Sequence, residues 1–575
     1  MGQGFSLATP YAGSASIDVP ELSDLVYERS LGTARFMKSV RARHHDGVVL
    51  VKVLAKPYTP LSLDKYKKEL IAQRKALAEV PNALPFQRII ETETNGYLVR
   101  QFLYNSLYDR MSTRPFLEDI EKKWLAFQLL CALRDCHARD IYHGDIKSEN
   151  TLRFVAPDDV GTKEAKLTWA MDVFSAGCVI AEVFLEAPIF TLSQIYKFRR
   201  GEYDPVISQI SRIPDRDVRD MISSMVQLDP ERRYSAEQYL DFWKGKVFPE
   251  YFYNFLHQYM ELVTDPSSGN SPISGASRNL GEADDRIDRI FLDFDKISYF
   301  LGYQPGKRDT QVVPLASKLG LGHFPVRLNI PNHEQYVTGN PDGPKNDGTL
   351  IFLNLVVSSI RHTARAASRV RACDILLAFA ERIPDLAKLD RVLPYLVLLL
   401  GDKSDLVVIA ATRSITQLLQ LVTAISPVNA YVFIEYILPR FQTSLLGPSP
   451  PVSPLVRATY ASCLGGLAST ALRFLEMAAT LKANGALTVA DPEVEPGKEA
   501  EVLADNLFDD AQRELFSMFE AHTKTLIEDT DVSVRRAFLT SVPELCIFFG
   551  PAEANDILLT HLNTYLNDRD WKLKR

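Results

Sequence analysis

The sequence predicts a multidomain chain, with an α+β domain in its first half and an all-α array of helical repeats after it. Three observations predict this. The length of 575 residues is several times the roughly 100–200 residues of one domain. Alternating β-branched runs cluster before residue 101, whereas helix-spaced apolar residues dominate beyond residue 120. A Pro/Gly/Ser-rich stretch at 264–283 divides the chain, and short patterns recur beyond residue 390. The composition is that of a globular protein, 46% hydrophobic and 24% charged. With 65 Lys and Arg against 72 Asp and Glu, the net charge is -7. That argues against nucleic acid as the main partner, because phosphate binding wants a basic surface. Cysteines 131, 136, 178, 373, 463 and 546 form no Cys-x-x-Cys pair or Cys/His cluster. Neither a zinc site nor a disulfide framework is expected, and a reduced cytosolic setting fits. The longest apolar stretch, 392–400, contains a proline and falls far short of the ~20 residues of a membrane span.

The chain opens Met-Gly-Gln-Gly-Phe-Ser, and Gly2 with Ser6 fits the N-myristoylation pattern, with a chance match as the alternative. Residues 1–28 contain no Lys or Arg, so a polybasic second signal is missing. One acyl chain binds membranes only marginally, and firm attachment would need a partner or a second surface. From Tyr27 the pattern turns to strands: residues 35–41 alternate, and 48–54 are rich in valine and leucine after the turn at Asp46-Gly47. A helix is predicted over 63–79, a buried strand over 96–100, and a helix over 124–137.

The most informative run is Ile141-Tyr-His143-Gly144-Asp145-Ile-Lys147-Ser-Glu-Asn150. It resembles the protein-kinase catalytic loop. That resemblance implies Asp145 as the base for a substrate hydroxyl, Lys147 near the transferred phosphoryl group and Asn150 on a magnesium ion. Other kinase landmarks follow in order. Lys52 matches the strand lysine that steadies nucleotide phosphates, and Glu69 on the next helix is spaced to be its ion-pair partner. Leu31 and Gly32 fall where the glycine-rich loop would cover the nucleotide. Asp172-Val-Phe-Ser-Ala-Gly177 resembles the helix whose aspartate braces the catalytic loop alongside His143. Leu228-Asp-Pro-Glu-Arg-Arg233-Tyr-Ser-Ala resembles the close of the C-lobe. ATP and Mg2+ are the cofactors this resemblance implies. Taken alone, Lys52 and Glu69 read as a solvated strand lysine and a helix-surface acid.

The departures carry equal weight. Ser30 to Arg35 keeps one glycine where kinases usually have three, so fewer backbone amides can approach phosphate closely. Gly144 replaces the catalytic-loop arginine. Only 21 residues separate Asn150 from Asp172, with no Asp-Phe-Gly triplet among them. A kinase fits two strands, the main metal carboxylate, the activation loop and an Ala-Pro-Glu anchor into this interval. Ala156-Pro157-Asp158 looks like that anchor, but its surroundings read as a polar loop. Arg233, which would pair with the anchor glutamate, then has no obvious partner. Either coding sequence has been lost after Asn150, which the intact flanking elements favour, or the chain is a pseudokinase. As written, phosphoryl transfer is expected to be crippled.

The stretch 264–284 reads as a linker, residues 285–301 as helical and about 304–348 as a Pro/Gly/Asn-rich excursion. Beyond 349 the chain repeats itself. Val392-Leu-Pro-Tyr-Leu echoes Ile437-Leu-Pro-Arg-Phe, 45 residues later. Asp405-Leu-Val-Val resembles Asp531-Val-Ser-Val, with further copies opening at Ser453 and near Asp570. Pairs of helices of this kind resemble HEAT repeats, with an unrelated helical bundle as the alternative. Residues 478–512 read as an inserted loop. The array stops inside a repeat at Arg575, so a truncated chain is expected.

The myristoylation motif, the divergent kinase and the HEAT-like array, in that order, resemble the vacuolar protein sorting fifteen family. These are the kinase-like regulatory subunits of the class III phosphatidylinositol 3-kinase complex. The resemblance implies domains at 1–26 (N-terminal segment), 27–263 (protein-kinase-like), 264–284 (linker), 285–348 (helical connection) and 349–575 (HEAT-like repeats). It implies the lipid-kinase catalytic subunit and a beclin-like coiled-coil subunit as partners. It also implies a cytoplasmic protein peripherally attached to endosomal, vacuolar, Golgi-derived and autophagosomal membranes. Known members carry a further WD40 propeller and are classed as serine/threonine kinases. Two roles are therefore expected to compete, a scaffold that holds the lipid kinase and a working serine/threonine kinase.

Overall fold

The computed structural model describes residues 22–34, 37–44, 47–56, 62–78, 80, 83–103, 106–144, 146, 168–264, 282–303, 326–332, 348–447, 452–484, 498–568 and 570. The chain divides into two compact units, 1–280 and 281–575, with the boundary in the Pro/Gly/Ser-rich stretch of the sequence.

The first unit opens on an antiparallel sheet of β1 (Val26–Ala34), β2 (Met37–His44), β3 (Gly47–Ala55), β4 (Arg88–Glu91) and β5 (Asn95–Gln101), in the order β1-β2-β3-β5-β4. Strand alternation sorts the side chains. Val40, Ala42, Val49, Val51, Tyr97 and Val99 share one buried face with Leu22 and Leu25, from the segment that precedes β1. Lys52, at an even position of β3, falls on the opposite face. Helix α1 (Asp64–Leu77) leaves β3 and buries none of its residues.

Among the described residues, helices α2 (Leu107–Ser112), α3 (Asp119–His137), α4 (Trp169–Leu185), α5 (Leu192–Arg199), α6 (Pro205–Ser208), α7 (Arg216–Met225), α8 (Ala236–Phe242) and α9 (His257–Thr264) follow the sheet. Helix α4 is its centre, with every residue from Ala170 to Val183 buried, as an all-round apolar helix requires. Gly177 lets α7 close on it, because a Cβ there would sit 2.7 Å from that of Met225. Phe127 of α3 packs edge-on against Phe248 and Phe252 and stacks with Trp124. The expected strands at 48–54 and 96–100, and the helices at 63–79 and 124–137, are all present within a few residues.

The second unit contains α10 (Glu282–Leu292), α11 (Phe294–Phe300), α12 (Thr349–Ile360), α13 (Ala366–Ala380), α14 (Leu393–Leu398), α15 (Asp405–Leu421), α16 (Leu438–Leu445), α17 (Pro454–Ala483), α18 (Lys498–Ile527), α19 (Val532–Phe538), α20 (Val542–Ala554) and α21 (Thr560–Tyr565). Both Leu-Pro signals become the same local structure. A π turn, Lys388–Val392 or Phe433–Ile437, runs directly into Leu393-Pro394 or Leu438-Pro439. Proline lacks the N–H and its ring presses on the carbonyl four residues back, so the helix widens by one residue before it.

The turns before the second helices repeat as well. Asp402, Asp529 and Asp568 each accept the backbone N–H two residues on, at 2.9, 2.8 and 2.9 Å. Each also pairs with an arginine from another helix. Arg369 reaches Asp402 at 2.6 Å, Arg457 reaches Asp529 at 2.7 Å and Arg535 reaches Asp568 at 2.7 Å. An Asx turn and an Arg–Asp pair therefore tie one helical layer to the next, and the expected anchors at 405, 531 and 570 lie just past these aspartates.

One expectation fails here. Residues 478–512 are not a loop throughout, since α17 extends to Ala483 and α18 begins at Lys498. Ala, Glu and Leu after Lys498 are strong helix formers, and they outweigh the charge that suggested a loop.

Gly465 and Gly466 lie side by side in α17 and face different neighbours. A Cβ on Gly465 would meet Ser541 O at 2.9 Å and Ser541 Cα at 3.0 Å, whereas on Gly466 it would meet the flexible end of Gln420 at 3.0 Å. Gly465→Ala is expected to destabilise the chain by about 1–3 kcal/mol, because the next helix must move. Gly466→Ala is expected to change stability by less than about 1 kcal/mol, as the helix-propensity gain offsets the contact. Denaturant unfolding of the two variants checks the contrast, and equal losses would show that the α17 packing is misread.

Candidate kinase-like site

The site is built on the N-terminus of α4. Asp172 sits in its first turn, 1% exposed. One carboxylate oxygen accepts the backbone N–H of His143 at 2.7 Å, and the other accepts that of Gly144 at 2.7 Å. The His143 acceptor also lies 3.0 Å from His137 Nε2, at the end of α3. A buried carboxylate with three donors is well satisfied, and it fixes the backbone that leads into Asp145. Gly144 has φ 67, in the left-handed region that favours glycine. The glycine that replaces the usual arginine thus suits the turn it occupies. Ile146 is buried. Asp145, Lys147, Asn150, Ala156-Pro157-Asp158 and Gly2 lie outside the described residues.

Arg233 is buried against the first turn of α4. Its guanidinium donates to the carbonyls of Gln227 at 2.8 Å, Ala170 at 3.0 Å and Leu228 at 3.1 Å, and lies 5.0 Å over the Phe174 ring. These carbonyls are partners that no side-chain motif announces, and the expected anchor segment lies outside the described residues.

The nucleotide side is formed by β1, β3 and α1. Leu31 and Gly32 lie within β1 at an irregularity in its register with β2, and Gly32 has φ 128. The ammonium of Lys52 lies 5.8 Å from the Phe86 ring centroid, while Glu69 is exposed on α1. Among the described residues, Lys52 and Glu69 do not form the ion pair their spacing suggested. The cause lies in how α1 is held. Glu91 at the end of β4 accepts the N–H of Leu63 at 3.0 Å and pairs with Lys56 at 2.7 Å and Lys67 at 3.4 Å. At the other end, Arg74 donates to the Gln87 carbonyl at 2.7 Å. Lys67 and Arg74, seven residues apart on one face, therefore turn that face to the sheet and Glu69 away from it. Bonds from Lys56 and the Leu63 amide hold the Glu91 carboxyl down at about 2. His137 and Glu91 are the contributors that sequence reasoning missed. Neither belongs to a spaced motif, and only the fold brings each to its partners.

Comparison with known proteins fits both units. Residues 150–242 match the protein kinase domain family, and 352–575 match the PIK3R4-like middle domain family. A putative serine/threonine-protein kinase VPS15 of Komagataella pastoris is 37% identical over 99% of this chain and 43% of its own length. The serine/threonine-protein kinase vps15 of Schizosaccharomyces pombe is 34% identical over 94% of this chain and 36% of its own. The chain belongs to the VPS15 family. An Arabidopsis thaliana member is 32% identical over 97% of this chain and 44% of its own. The chain thus spans less than half the length of these family members. The alignment with the Komagataella member has 618 positions against 575 residues, so at least 43 of its positions face gaps in this chain.

Proposed function

We propose that this chain acts as the kinase-like regulatory scaffold of a class III phosphatidylinositol 3-kinase complex in endosomal and vacuolar sorting and in autophagy. What carries the reading is the joining, on one chain, of a kinase-domain match and a PIK3R4-like middle-domain match. The helical array supports it, because stacked helix pairs present extended surfaces and seldom carry chemistry. The partners under this reading are the lipid-kinase catalytic subunit and a beclin-like coiled-coil subunit. The place is the cytoplasmic face of endosomal, vacuolar, Golgi-derived and autophagosomal membranes, with Gly2 myristoylated. Affinity capture of the full chain is expected to retain the lipid kinase, and capture without it would refute the scaffold.

A second reading, an ATP- and Mg2+-dependent serine/threonine kinase, is favoured by one observation. Asp172 holds the backbone of His143 and Gly144 as a catalytic loop needs. Lys52 on β3 and Glu69 on α1 would serve the phosphates, and Asp145, Lys147 and Asn150 the transfer and the metal. Among the described residues Lys52 and Glu69 do not pair, so transfer would need the two brought together. Phosphate transfer from ATP that disappears in Asp145→Ala and Lys52→Ala would establish the kinase, and equal activity in both variants would exclude it.

A further inference from the structure

Helix α1 shares a lack of buried side chains with the six-residue α2, but it is more than twice as long. It is 14 residues long and buries none of them. A helix of that length is marginal in water without a packed face. Polar ties to Glu91 and to the Gln87 carbonyl hold it to the sheet from one side. Lys65, Lys68 and Lys75 are exposed, and among the described residues none of them pairs with a carboxylate. At 100° per residue these three lie within one 80° sector with Ala72, and Ile71, 37% exposed, borders it. The stripe is about 15 Å long, and Asp64 and Glu69 are the acids beside it.

The charge of the whole lobe points the same way. Residues 22–103 hold 14 Lys and Arg against 8 Asp and Glu, a net +6 within a chain of net -7. A basic lobe on an acidic protein is a directional field, and its ligand is anionic. The chemistry of the stripe narrows the choice. Protein interfaces are depleted in lysine and anchored by arginine and aromatic side chains, whereas juxtamembrane basic clusters act through diffuse charge that needs no shape. An exposed isoleucine among lysines suits the boundary between headgroups and acyl chains.

We propose that the exposed face of α1, carried by Lys65, Lys68 and Lys75, rests on an anionic lipid surface. The proposal deepens the membrane part of the function given above and rests on it. It places the second attachment point that a single acyl chain requires on the sheet lobe, in the middle of the fold's basic region.

The test uses the full chain, made without acylation, and phosphatidylcholine vesicles with and without phosphatidylserine. The chain is expected to co-float with the anionic vesicles only, and less so as salt rises. Each lysine near such a surface contributes about 1 kcal/mol, so Lys65→Ala/Lys68→Ala/Lys75→Ala should weaken binding by roughly 100-fold at low salt. A charge-matched control, Lys197→Ala/Arg200→Ala/Arg212→Ala on the other lobe, should shift it by no more than about twofold. Equal losses in both variants, or unchanged binding in the first, would overturn the proposal. So would failure of the unaltered chain to float. If the α1 variant instead loses the lipid kinase on affinity capture, the stripe is a protein-docking surface. Capture of the lipid kinase is read separately, so either idea can fail without the other.

Discussion

Asp172→Ala is expected to destabilise the first unit by about 3–5 kcal/mol and to release the backbone at His143 and Gly144. The carboxylate is 1% exposed and takes both amides at 2.7 Å. Truncation leaves the two backbone donors without the carboxylate that pairs them. A buried donor without a partner costs about 1–3 kcal/mol, and the His137 contact is lost as well. Asp172→Asn keeps the shape and one acceptor oxygen, but turns an amino group toward the remaining donors. Its expected cost is intermediate, about 2–3 kcal/mol. Because the chain has two compact units, a single melting curve mixes their transitions. Hydrogen exchange at residues 141–146 is the cleaner measurement. Protection of the two amides should fall in Asp172→Ala and survive in part in Asp172→Asn. Unchanged protection in Asp172→Ala would show that the loop is held by something else.

Asp172 also shows why part of this site was legible in the sequence. Its partners are backbone amides, which exist whatever residues carry them, so the motif at 172–177 sufficed to place the brace. Gly144 was legible as a departure, but its meaning lay in a φ of 67, which no sequence pattern states. The two halves of the site that depend on side chains from distant segments were less legible. Glu69 has the spacing of an ion-pair partner for Lys52, yet the face α1 turns to the sheet is chosen by Glu91 and the Gln87 carbonyl, which lie beyond the helix. In the second unit, the Leu-Pro and Asp-x-x-Val signals located the repeating helices because proline geometry and Asx turns are local. The end of the helix at 454–483 and the first half of that at 498–527 were hidden, because lysine, glycine and glutamate there suggest a loop although helix propensity prevails in the fold.

Arg233→Ala is expected to cost about 3–4 kcal/mol, by a different route from Asp172. The guanidinium is 3% exposed and donates to three carbonyls while lying over Phe174. Carbonyl oxygens tolerate loss of one partner better than amides do, so most of the cost is lost charge-assisted bonding and packing. Arg233→Lys keeps the charge, but one ammonium cannot reach three carbonyls that the planar fork spans, and a loss of about 2 kcal/mol is expected. The two charges also share a structural element. Ala170, whose carbonyl Arg233 holds, and Asp172 lie two residues apart in the first turn of α4. That turn is therefore clamped from one side by the segment at 227–233 and from the other by the catalytic-loop backbone. If one clamp lets the turn fray, the other loses its aim, so the two substitutions should not add. A double-mutant cycle of Asp172→Ala with Arg233→Ala is expected to give a coupling of about 0.5–3 kcal/mol, the range for residues that share one backbone element. Additivity within about 0.3 kcal/mol would mean that α4 holds its first turn without either charge, and that the brace and the guanidinium act as separate features.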